Sequence, residues 1–128
     1  GYGLSYSEFT YKELLLTAGE GELRVSCSVE NISSRDGKEV VQVYVRECAP
    51  LVYRPKKELK AFSKSEVKAG KTERFEFQLC GDAFAHWSVA ENKWEITDGV
   101  YEIFVGASSQ DIRLKGKITI ENEKITVI

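Results

Sequence analysis

No methionine occurs in this chain, position 1 included, and histidine and proline are nearly absent as well. Each shortage removes a class of answer. A chain without even an initiator methionine is expected to be a processed or excised piece of a larger product. His86, the one histidine, has no second histidine and no cysteine pair beside it, so no transition-metal site is expected. No apolar run approaches the roughly 18 residues of a membrane span, so no membrane partner is expected. Neither charge sign dominates: 18 basic and 20 acidic residues leave −2, which provides no field to gather nucleic acid.

What remains is ordinary in bulk and informative in pattern. With 128 residues, 42% apolar and 30% charged, the chain fits one soluble globular domain. A domain of this size buries about two-thirds of its extended-chain surface. The stretch from Leu23 to Arg46 carries the strongest signal. Leu23, Val25, Cys27 and Val29 alternate with Arg24, Ser26, Ser28 and Glu30, the period of a strand with one buried and one wet face. Residues 31–37 are turn formers, ending on Gly37. Val41, Val43 and Val45 then resume the inward stripe, with Gln42, Tyr44 and Arg46 opposite.

The same rhythm runs through the rest. Phe9 to Leu16 reads as a first strand, irregular in the manner of an edge. Both prolines, Pro50 and Pro55, fall in a loop from Glu47 to Pro55. Lys57 to Lys64 reads as a short lysine-rich strand anchored by Leu59 and Phe62. Phe75, Phe77 and Leu79 alternate with Arg74, Glu76 and Gln78. Asp82 to Thr97 suggests a turn and then a hairpin around Glu91-Asn92. Gly99 opens a strand to Val105, and Ile112, Leu114, Ile118 and Ile120 mark a last one. Gly116 falls at an inward position of that strand, where a bulge or a close contact is expected. Tyr101, just past a turn, stands where a tyrosine corner is needed, its hydroxyl bonded to backbone across the arch. No segment has helical period or length, so an all-β antiparallel sandwich of seven to eight strands is expected.

Cysteine usage agrees. An inter-sheet bridge from Cys27 would need a partner among Tyr101, Ile103 and Val105, and none is a cysteine. Cys48 falls in a loop and Cys80 on an outward strand end. Three free thiols lean toward a reducing, cytoplasmic location.

Chemistry is hard to find in this pattern. There is no Gly-x-Ser-x-Gly elbow for a nucleophile. Glycoside hydrolysis needs two carboxylates, one held in a setting that raises its pKa. Here Glu30, Glu39, Glu76 and Glu102 all fall on faces the alternation gives to solvent. Trp87, Trp94 and Tyr53 offer flat faces for a sugar ring, but the two tryptophans flank the hairpin and equally serve as packing. The run from Arg54 to Lys60, with Lys64, Lys68 and Lys71, is basic yet lacks a glycine cradle, and lysines on an edge strand chiefly block pairing with another chain. Asn31-Ile32-Ser33 is a formal glycosylation sequon, although Asn31 has a sufficient use as a turn former.

A resemblance runs through the same residues. Val29-Glu30-Asn31, then Gly37-Lys38-Glu39-Val40-Val41-Gln42-Val43-Tyr44-Val45, then Arg54-Pro55-Lys56-Lys57-Glu58-Leu59-Lys60-Ala61-Phe62 follow one another in order. With Gly1-Tyr2-Gly3-Leu4-Ser5-Tyr6 before them and Gly99-Val100-Tyr101-Glu102-Ile103-Phe104-Val105-Gly106-Ala107-Ser108-Ser109 after, they resemble the C-terminal fibronectin type III-like domain of family 3 glycoside hydrolases, the β-glucosidase and β-xylosidase type enzymes. Ala61 stands where that pattern commonly has glycine, and Ala69 where it has proline.

The resemblance implies an immunoglobulin/fibronectin type III-like sandwich over residues 1–128, with residues 1–8 leading in from an upstream domain and residues 121–128 as a tail. It also implies a non-catalytic accessory domain that packs on and stabilises catalytic domains of the same polypeptide. Those domains would hold the catalytic carboxylates, so no catalytic residue is assigned here. No cofactor is implied. Docking is expected near Tyr2, Leu4, Tyr6, Val52, Tyr53, Arg54 and Pro55, reaching Tyr11 on one side and Phe62 on the other. The alternatives are a carbohydrate-binding module that stacks an oligosaccharide on Trp87, Trp94 or Tyr53, and a generic adhesion-type sandwich.

Overall fold

The computed structural model describes residues 8–19, 21–48, 58–88, 90–96, 98–122 and 124–128. Strands β1 (Phe9–Gly19), β2 (Glu22–Asn31) and β5 (Thr72–Cys80) form one sheet in the order β1-β2-β5. Strands β3 (Gly37–Cys48), β4 (Glu58–Val67), β8 (Gly99–Ser108), β9 (Asp111–Glu121) and β10 (Lys124–Val127) form the second, in the order β10-β9-β8-β3-β4. A 3-10 turn (Gly81–Phe84) and a small hairpin of β6 (Ala85–Ser88) and β7 (Lys93–Ile96) lie between β5 and β8. Every pairing is antiparallel. This is the expected sandwich, eight strands in two sheets, with the hairpin added.

The inward stripes meet between the sheets. Leu23, Val25, Cys27 and Val29 are fully buried, and so are Val41, Val43, Ile103, Val105 and Ile118. Phe75, Phe77 and Leu79 close the core from β5. Each such aliphatic or aromatic side chain contributes about 1.5–3 kcal/mol by leaving water, and here the sum of these burials holds two sheets together without a disulfide. Tyr101 is buried at the start of β8, and its ring packs edge to face with that of Phe84, centroids 5.5 Å apart.

Alternation fails where the outer faces are themselves covered. Ser26 and Ser28 were expected on a wet face and are buried. Arg74 lies across them, its guanidinium donating to Ser26 Oγ at 2.8 Å, while Ser28 Oγ donates to Glu13 at 3.1 Å. On the other sheet Tyr44 and Glu102, also expected outside, are only 8% and 4% exposed. The outer-face side chains of neighbouring strands close over them.

Register accounts for the remaining differences. Glu13 takes a left-handed φ of 57°, and the β1–β2 ladder slips between Lys12 and Leu15. That extra residue turns Leu15 outward between the inward-leaning Leu14 and Leu16. Leu59 and Phe62 do not anchor β4: they are 47% and 68% exposed, and Ala61 and Val67 face the core instead. The strand is an edge, as its lysines suggest. Gly116 sits in close contact, since a Cβ there would lie 2.6 Å from Leu16 Cδ1. The β8–β9 register slips at Gly106 rather than at Gly116. Residues read as a tail include β10, with Ile125 buried against the core.

Candidate functional site

Three polar constellations stand out among the described residues, and each is engaged in holding the sandwich. The first crosses between the sheets. Tyr11 on β1 donates its hydroxyl hydrogen bond to Glu39 on β3 at 2.8 Å. Arg113 on β9 stacks over the Tyr11 ring at 5.2 Å, donates to the Phe9 carbonyl at 3.0 Å, and pairs with Asp111 at 2.6 Å. Burial first, and the Glu39 carboxylate second, push the Tyr11 hydroxyl far above its ordinary pKa. It is therefore a fixed donor, not an acid or base.

Glu102 on β8 makes the second. Arg46 Nε donates to its carboxylate at 3.0 Å, and Lys115 approaches the other oxygen at 3.3 Å. Both cations also lie over the Phe104 ring, at 5.2 and 5.8 Å. The expectation that Glu102 faces solvent is thus corrected: it is the buried centre of an ion cluster. A catalytic pair needs a second carboxylate across a substrate-sized gap. The groups around Glu102 are cations instead.

The third is Asn31. It is fully buried, its amide donating to Arg35 O at 2.7 Å and Val67 O at 2.9 Å, and its Oδ1 accepting from Ser33 N and Oγ. A glycan on Nδ2 has no room in this arrangement, so the sequon is a turn element and nothing more.

Other expected features are placed as follows. Cys27 is buried and Cys80 exposed, both free. Cys27 lies opposite Phe75, and Cys80 opposite Glu22 at the far end of the ladder, which separates the two by roughly 17 Å of strand. Burial pushes the Cys27 thiol up to about 11, which leaves it inert at neutral pH. Arg24, Glu76, Phe77 and Gln78 line a shallow open depression on the three-stranded sheet. No group of three or more His, Cys, Asp or Glu among the described residues is arranged to hold a metal ion. Among them, too, no helix is long and apolar enough to cross a membrane.

Trp87 and Trp94 are direct partners in the β6–β7 register, as flanking a hairpin requires, and His86 is paired with Glu95. The side chains of Trp87, Trp94 and His86 lie outside what is described. Tyr2, Leu4, Tyr6, Val52, Tyr53, Arg54 and Pro55 also lie outside the described residues. What the alternation did not reveal is the Glu102 cluster and the Tyr11–Glu39–Arg113 latch. Both depend on which strands become neighbours.

Comparison with known proteins places these observations. The family model of the fibronectin type III-like domain matches residues 39–109. Thermostable beta-glucosidase B of Acetivibrio thermocellus is 34% identical over 126 residues, covering 95% of this chain and 17% of that protein. An exo-alpha-(1->6)-L-arabinopyranosidase of Bifidobacterium longum is 42% identical over 113 residues, covering 88% of this chain and 15% of its own length. The structure of beta-glucosidase 3B from Thermotoga neapolitana superposes with a TM-score of 0.86 at 35% identity, over 99% of this chain and 18% of that one. The chain thus spans less than a fifth of the length of these relatives. It belongs to the fibronectin type III-like domain family, as the accessory, non-catalytic domain found within much larger family 3 glycoside hydrolases.

Proposed function

We propose that this domain packs on the catalytic domains of a β-glucosidase-like family 3 glycoside hydrolase and stabilises them. One observation carries the reading. A sandwich whose described polar clusters are all spent on its own structure corresponds to less than a fifth of β-glucosidases whose remaining length accommodates the chemistry. Docking through Tyr2, Leu4, Tyr6, Val52, Tyr53, Arg54 and Pro55 belongs to this proposal, as does a corner hydrogen bond from Tyr101. A reducing location fits the wide separation of Cys27 from Cys80.

The test compares the whole polypeptide with a version lacking residues 1–128. Removal is expected to lower the melting temperature of the remainder by several degrees and to reduce hydrolysis of an aryl glucoside. Unchanged stability and activity would overturn the role.

A further inference from the structure

The outer face of the five-stranded sheet is not built as a solvent face. Lys115, Phe104, Tyr44 and Leu59 follow one another across it as cross-strand partners. Phe62 stands beside them, opposite Gln42. In a regular strand, residues three apart point to opposite faces. Leu59 and Phe62 share one face because the ladder slips between Val43 and Tyr44, so that their partners, Tyr44 and Gln42, are two apart. The extra residue in β4 is a bulge that re-aims Leu59. A straight β4 would send Leu59 toward the core. Instead Leu59 and Phe62 are left 47% and 68% exposed side by side. In the domain alone this arrangement forgoes apolar burial.

The surroundings define the partner. Lys38, Arg46, Lys64, Lys115, Lys117 and Lys124 stand on the same face, against three carboxylates: Glu102, engaged by Arg46 and Lys115, Glu66, paired with Lys68, and Glu121 at the far end beside Lys124. The face is cationic around an apolar centre, although the chain as a whole carries −2. Strand addition along the free edge of β4 is opposed by its charged residues, so it is the face, and not the edge, that is offered.

We propose that this face, centred on Leu59 and Phe62, is where the domain docks on the rest of the family 3 polypeptide, against an apolar patch rimmed by carboxylates. The proposal rests on the accessory-domain reading above. More than four-fifths of each similar protein lies outside this domain, so the complementary surface is part of the same molecule and is met at an effective concentration on the order of millimolar.

Photo-crosslinking in the intact polypeptide tests it, with benzoylphenylalanine placed at position 62 and, for reference, at position 78 on the opposite sheet. Position 62 is expected to link to peptides outside residues 1–128 of the same molecule, and position 78 to remain unlinked. The double variant Leu59→Asp, Phe62→Asp should also lower the melting temperature of the intact polypeptide by several degrees. Links from position 78 and none from position 62 would overturn this face while leaving the docking role standing. Silence at both positions would overturn the two together. Links between two copies through position 62 would make the face a dimer contact and overturn the proposal.

Discussion

The side-chain amide of Asn31 donates to the main-chain carbonyl of Val67 at 2.9 Å, tying the end of β2 in one sheet to the end of β4 in the other. Main-chain bonds surround it: Asn31 N donates to Lys71 O, and Gly70 N to Asn31 O, each at 2.9 Å. One buried side chain thereby holds the turn after β2, the end of β4 and the turn before β5. Replacing Asn31→Ala would strip the buried Val67 carbonyl of this donor and take the acceptor from Ser33 N and Oγ in the half-buried turn. The expected loss is about 2–4 kcal/mol, read from the urea midpoint. A loss below about 1 kcal/mol would mean that water replaces the amide.

Two glycines should differ sharply. A Cβ on Gly106 would lie 2.1 Å from the Asp111 carbonyl oxygen and 2.8 Å from Ile112 Cα, both backbone atoms. At Gly116 the near atom is the tip of a leucine, Leu16 Cδ1. Backbone cannot step aside as a rotamer can. Gly106→Ala is therefore expected to cost more than about 3 kcal/mol and Gly116→Ala about 1–2 kcal/mol. Thermal denaturation of both variants checks the order, and equal losses would refute it.

Stability should fall in alkali for a specific reason. Folding keeps the proton on Cys27, raised from 9.0 to about 11 by burial, and on Tyr11, raised from 10.0 by burial and Glu39. Above these ordinary values the unfolded chain binds fewer protons than the folded one, so stability declines as pH rises. Below them the contribution is intact. Tyr11→Phe is expected to flatten the fall in urea midpoint between about pH 10 and 11. An unchanged slope in that variant would show that Tyr11 is not responsible.

The thiols offer a separate check. Cys80 should react with a maleimide in the native state, whereas Cys27 should react only through unfolding, at least about 100-fold more slowly. Peptide mapping after timed labelling distinguishes the two. Comparable rates would mean that β2 opens far more readily than a central strand should.

Much of this molecule was written in its alternation. Strand residues two apart share a face, so Leu23, Val25, Cys27, Val29, Val41, Val43 and Val45 mark the core by parity alone, and all are buried. Tertiary structure decided what alternation cannot encode. Whether an outward residue meets water depends on which strand lies beside it, and so Ser26, Ser28, Tyr44 and Glu102 are covered although their parity points outward. Parity itself holds only until a strand gains a residue. The bulges in β1 and β4 turned Leu15 and Leu59 outward, a choice made by pairing register over long sequence separations and invisible within either strand.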